Sequence, residues 1–189
     1  MSESTTEKLP GRPEQRERFL SAATNYALEG GVSTLSLRPL AARLDTSDRM
    51  LLYYFGTRDN LIAAVLEVIG QQLQDMLTAG LPAERLPPGA LLTKVWKTLT
   101  DPTADDALRL YLEVDVLASR GVQPYARIAD QVSTSWRAWL ADRIDATVHR
   151  RSAAAAAVLA IVDGLLIQRL SADPRAADSA ARWIAKALT

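Results

Sequence analysis

The sequence predicts an all-α protein, and three observations carry that expectation. Alanine and leucine supply 59 of the 189 residues, 31 and 28 respectively, against 11 valines and 7 isoleucines. That balance favours helices and starves strands of β-branched side chains. Apolar residues recur at three- and four-residue spacing along the chain, the period of a helix with one buried face. Glycine, proline and N-capping residues break the pattern at helix-length intervals. A helical chain of this size can bury a core without staples or metals. It has no cysteine and a single histidine, His149, which excludes a disulfide framework, a cysteine nucleophile, Cys-ligated zinc and a multi-histidine site within one chain. No metal and no cofactor are expected.

Each element follows from its local pattern. Residues 1–12 are polar, with Glu3 and Glu7, and read as a disordered arm rather than a secretion signal. No run of 18 uncharged apolar residues offers a membrane span, so a soluble, cytoplasmic protein is expected. Pro13 suits the first turn of a helix carrying Phe19, Ala22, Ala23, Tyr26 and Ala27, which Gly30-Gly31 stops. Ser36 is placed to cap a second helix, 37–44, though Pro39 removes one amide that such a cap uses and leaves only that of Arg38. Asp45-Thr46 makes a tight turn, Ser47 caps a third helix through Tyr53, and Gly56-Thr57 resets the chain before a fourth, about 58–78. The stripe Leu61, Ile62, Val65, Leu66, Ile69, Leu73, Met76 and Leu77 makes that fourth helix strongly amphipathic. After the connector 81–89, rich in proline, helices are predicted at about 89–100, 103–119, 124–146, 151–171 and 174–188. They are separated by Asp101-Pro102, Gly121, a corner at His149-Arg150-Arg151, and Asp173-Pro174.

The second and third predicted helices carry the most chemistry. Two short helices joined by a very short turn have the proportions of a helix-turn-helix, whose second helix enters the major groove. In the third helix Leu51 and Phe55 can anchor a core, leaving Ser47, Asp48, Arg49, Met50, Tyr53 and Tyr54 on the other faces. Arg49 can donate in a fork to guanine, Asp48 can accept from a cytosine amine, and Met50 or Leu52 can touch a thymine methyl. Tyr53, Tyr54 and Arg58 can donate to phosphates, helped by the positive end of the fourth helix. A short surface helix of mixed chemistry is also ordinary in helical bundles. Charge does not separate the two readings: the chain carries 22 basic and 22 acidic groups, and residues 1–60 hold eight of each.

Resemblance separates them. The stretch Leu35-Ser36-Leu37-Arg38-Pro39-Leu40-Ala41-Ala42-Arg43-Leu44, followed by residues Asp45 to Leu61, resembles the DNA-binding region of TetR-family transcriptional regulators. The likeness runs from Gly11-Arg12-Pro13 to Leu66. It departs from the family pattern at Asp45, where glycine is usual, at Leu52, where an aromatic is usual, and at Pro39, which replaces an acidic residue. The resemblance implies a three-helix DNA-binding domain over 13–57 and a larger helical ligand-binding and dimerisation domain over 58–189, joined through the fourth helix. It also implies DNA contacts from Arg38, Ser47, Asp48, Arg49, Met50, Tyr53, Tyr54 and Arg58.

More loosely, residues 110–118 are similar to the family's seventh helix, and 160–168 to the ninth, a dimer helix. Helix 151–171 is itself apolar around most of its circumference, and Gly164 would let a second backbone approach closely. A homodimer and a helix buried centrally in one chain both fit that pattern. For a small-molecule effector, expected to be mainly apolar, Trp96, Tyr111, Trp136 and Trp139 supply large faces, and the candidates are Trp96, Tyr111, Asp115 and Trp136, although such aromatics are more often core and Asp115 also reads as a satisfied structural acid. Asp163 is read as a capping or cross-dimer group. No glycine-rich phosphate loop, Gly-x-Ser-x-Gly elbow or metal-ligand cluster is present, so no enzyme is expected. Two function classes remain. One is a regulator, a repressor released from a pseudo-palindromic double-stranded operator by a small molecule. The other is a helical small-molecule-binding or adaptor protein without operator binding.

Overall fold

The computed structural model describes residues 11–188. It contains nine α-helices and no strand among the described residues: α1 Arg12–Gly30, α2 Leu37–Arg43, α3 Asp48–Phe55, α4 Arg58–Ala79, α5 Pro88–Leu99, α6 Asp105–Ser119, α7 Tyr125–Arg143, α8 Val148–Ser171 and α9 Pro174–Ala187. The chain divides into two compact units at Leu66/Glu67, a boundary inside α4. The expected disordered arm, 1–12, lies outside the described residues except for Gly11 and Arg12, which start α1.

In the first unit the Glu14 carboxylate reaches back to accept from the Gly11 amide at 2.9 Å, satisfying a donor at the start of α1. Phe19, Ala23 and Ala27 are buried on one face, and the helix ends at Gly31, whose φ of 84° suits glycine. A 3-10 turn over Val32–Thr34, not foreseen in the sequence, tucks Val32 into the core. Ser36 makes no side-chain cap bond to α2; Pro39 has removed the amide three residues on, and the remaining Arg38 amide goes unused. Asp45 takes a left-handed conformation, φ 48°. The α2–α3 turn thus uses Asp where its geometry would favour glycine. Ser47 does cap α3, accepting from the Met50 amide at 3.3 Å. Leu40, Leu51, Leu61, Ile62 and Val65 fill the centre of this unit.

The second unit takes the remainder of α4 and α5 to α9. Leu86 pairs with the end of α7: its amide donates to the Arg143 carbonyl at 2.9 Å, and its carbonyl accepts from the Asp145 amide at 2.7 Å. This pairing stops α7 at Arg143 rather than near residue 146. The expected corner at His149-Arg150-Arg151 is instead the first turn of α8, which starts at Val148. Similarly, Pro102–Ala104 forms a 3-10 turn, so α6 begins at Asp105. Asp173 caps α9 through the amides of Arg175 and Ala176. Helices α5 and α9 approach so closely at Gly89 that a Cβ there would sit 2.0 Å from the Ala185 carbonyl oxygen. Arg169 of α8 pairs with Asp105 and donates to the Thr100 carbonyl, tying α8 to the start of α6.

Candidate nucleic-acid interface and cavity

Short helix α3 is pinned from one side only. Leu51 is fully buried and Phe55 nearly so, four residues apart and therefore on one helical face. Ser47, Asp48, Arg49, Met50, Leu52 and Tyr53 are exposed, and Met50, Leu52 and Tyr53 leave 39, 38 and 56% of their surface uncovered. A fork donor, a carboxylate and three exposed apolar or aromatic groups thus share a helix that none of the described residues covers on that side. That chemistry matches the donor, acceptor and methyl pattern of a major-groove floor.

The flanking residues are held by specific contacts. Tyr54 is half-buried, its ring edge-on to Phe19 at 5.4 Å and to Tyr53 at 5.1 Å. Arg58, in the first turn of α4, donates from Nε to the Leu35 carbonyl at 3.0 Å, which joins α4 to the chain entering α2 and commits one of its five donors. Arg38 is exposed on α2. Arg43, by contrast, is paired with Glu29 at 2.7 Å and lies over the Tyr26 ring.

The second unit contains a partly open cavity of about 40 Å³, walled by Leu73 and Leu77 of α4, Val95 and Leu99 of α5, Leu108 and Tyr111 of α6, Trp136, Trp139 and Leu140 of α7, and Leu159, Val162, Asp163 and Leu166 of α8. Two of the four sequence candidates, Tyr111 and Trp136, are in this wall. Trp96 is not: it is buried elsewhere, and its indole N–H donates to Asp178 of α9 at 2.9 Å. Asp115, one helical turn beyond Tyr111, is also outside the wall. The carboxyl that reaches the cavity is Asp163, with the Tyr111 hydroxyl donating to its Oδ1 at 3.4 Å.

Burial pushes the Asp163 carboxyl up to about 6; the nearby Asp115 charge adds to the rise and the Tyr111 hydrogen bond opposes it. Burial likewise raises Asp115. Tyr111 is held well above the ordinary phenol value, by burial first and then by the two acids. The signal for Asp163 was present in the sequence: it interrupts the Leu159, Val162, Leu166 stripe of α8, and a carboxyl in an apolar stripe is costly unless something uses it. Trp139, which the sequence also offers as a large aromatic face, is in the wall too and packs edge-on against Trp136 at 5.6 Å.

Helix α8 leaves an apolar side uncovered. Ile167 is 53% exposed, Gly164 has open space where a Cβ would stand, and on α9 Trp183 is 74% exposed. By length and composition α8 is also apolar enough to cross a membrane, although it carries Asp163.

No protein-family model matches the chain. Over 78 residues, 41% of this chain, it is 37% identical to the HTH-type transcriptional repressor Rv3405c of Mycobacterium tuberculosis. The matched stretch spans only 42% of that relative's length. Among solved structures it is similar to the multidrug binding protein EbrR complexed with proflavin, at 27% identity and a TM-score of 0.69, over 93% of this chain and 100% of that one. It is likewise similar to a TetR-family transcriptional regulator from Cytophaga hutchinsonii, at 16% identity and a TM-score of 0.73, covering 96% of each chain; at that identity the likeness is one of fold.

Proposed function

We propose, from the premise that the chain belongs to the TetR family of transcriptional regulators, that it is a homodimeric, cytoplasmic repressor released from a pseudo-palindromic operator by a small molecule. The observation that carries this reading is α3, a helix fixed by Leu51 and Phe55 that leaves Ser47, Asp48, Arg49, Met50 and Tyr53 uncovered. One such helix touches only a few base pairs, so two-fold symmetry is needed to place two on one face of the duplex, about 34–36 Å or somewhat more apart. On this reading residues 13–57 make the operator contacts and 58–189 bind ligand and dimerise, a functional division that falls nine residues before the compact-unit boundary at Leu66/Glu67. The uncovered side of α8, with Gly164 and Ile167, and Trp183 on α9 are the surfaces for the second subunit. No catalysis is expected of it.

The effector is mainly apolar and carries a cation or hydrogen-bond donor. An apolar, aromatic-walled cavity with one carboxyl and one phenol supports this, as does the dye bound by EbrR. At about 40 Å³ the cavity is far smaller than ligand pockets, which for drug-sized ligands run to roughly 300–1,000 Å³. Ligand entry must therefore move walls, and Leu73 and Leu77 belong to the same continuous helix that begins with Arg58. A ligand favouring the opened wall lowers operator affinity by linkage.

Selection of binding sites from random duplexes, followed by titration of salt and of a planar cationic dye such as proflavin, tests the reading. Two-fold symmetric, salt-sensitive sites released by the dye are expected. Ligand binding with no sequence-selective DNA binding would instead favour a helical small-molecule-binding or adaptor protein.

A further inference from the structure

Arg12 and Arg16 of α1 each lie over an aromatic ring of α3: the Arg12 Cζ is 4.7 Å from the Tyr53 ring centroid and the Arg16 Cζ 5.0 Å from that of Phe55. We propose that these two arginines form a phosphate clamp beside α3, positioned by the aromatic rings, that grips the backbone of one strand flanking the groove. The inference rests on the operator-binding reading and extends the footprint from α2, α3 and the start of α4 to the first turns of α1.

The geometry supports this in four ways. The two residues are four apart on a helix and so share one face, spaced by about 6 Å of helical rise, which is comparable with adjacent phosphates along a strand. Stacking uses the flat face of a guanidinium and leaves its in-plane N–H donors pointing outward. Both side chains are exposed, and neither has a carboxylate partner among the described residues.

Of the neighbouring acids on α1, Glu14 accepts from the Gly11 amide, and neither it nor Glu17 forms an ion pair with Arg12 or Arg16 among the described residues. Arg43 provides the contrast within the same unit: it too lies over a ring, that of Tyr26, but Glu29 neutralises it. Finally, positive charge in the first turn of a helix is opposed by the helix dipole, so a cation held at the start of α1 by a ring is most favourable when an anion lies against it. A clamp of this kind also explains how a stretch with equal numbers of basic and acidic residues could hold a polyanion, because the positive field is local.

The test uses the full chain, a selected operator duplex and a random duplex across a salt series. Arg12→Gln and Arg16→Gln each remove one phosphate contact from both subunits of the dimer, so each should flatten the slope of log affinity against log salt by about 1.8 and the double variant by about twice that, with the operator-to-random ratio unchanged. Ring positioning is read by a cycle with Tyr53→Leu: on that background Arg12→Gln should cost distinctly less than on the wild type, while Arg16→Gln costs the same. Wild-type slopes retained in both arginine variants, with selective binding intact, would overturn the clamp and leave the regulator reading standing. Full additivity in the cycle would overturn positioning by the ring. A wild-type chain that binds neither duplex would remove the regulator reading and the clamp with it.

Discussion

Asp163→Asn should stabilise the protein at neutral pH, which is an unusual expectation for a half-buried polar residue that accepts a hydrogen bond. The carboxyl faces an apolar cavity and its value in the folded chain is about 6 against an ordinary 3.8. Folding therefore tightens its hold on a proton. The sign follows: the folded state is favoured by protonation, so stability is greatest below about pH 4, declines as pH rises from there to about 6, and stays reduced above it. Two pH units correspond to at most about 3 kcal/mol, and because the carboxyl is not sealed from water, screening brings the expected cost to about 1–2 kcal/mol. Asparagine matches aspartate in size, can still accept from Tyr111, and carries no charge. Urea unfolding at fixed chain concentration, which holds any subunit mass action constant, should show Asp163→Asn more stable by about 1–2 kcal/mol at pH 7.5, with the difference closing by pH 4. A variant that is less stable at pH 7.5, or a difference that does not change with pH, would refute the account of this carboxyl as an uncompensated charge on the cavity wall.

Three other substitutions probe separate parts of the structure. Gly89→Ala drives a methyl into the Ala185 carbonyl and should cost about 1–3 kcal/mol or more by overpacking, visible as a lowered thermal midpoint; unchanged melting would mean that α5 and α9 are not this close. Arg49→Ala should cost roughly 1–3 kcal/mol on the selected operator and relax base preference. Arg58→Ala should weaken all DNA alike and also lose about 1 kcal/mol of folding stability, because its bond to the Leu35 carbonyl goes; equal losses on specific and random DNA in both variants would refute the division of roles. Trp183→Asp, at an exposed site on α9, should leave the fold intact and shift sedimentation toward monomer, and an unshifted dimer would exclude that surface as the contact.

Much of the architecture was legible because it is written in local chemistry. The Ala and Leu excess, the cap at Ser47 and the breaks at Gly30-Gly31 and Asp173-Pro174 act within one or two helical turns, so periodicity, capping and breakers place the helices without reference to the rest of the chain. The helix-turn-helix was readable for the same reason: Leu51 and Phe55 must face inward together, and what remains on α3 faces out.

What the sequence could not decide was anything that depends on distant partners. Leu86 ends α7 through bonds to Arg143 and Asp145, residues more than fifty positions away that nothing in the α7 sequence announces. Trp96 and Asp115 were plausible cavity walls until packing turned one toward Asp178 and left the other out of the lining, while Asp163 was brought to the cavity from α8. A helical pattern specifies which face of each helix is buried, but not which neighbour it meets. Whether a buried acid or aromatic is core or site is set by the helices packed around it.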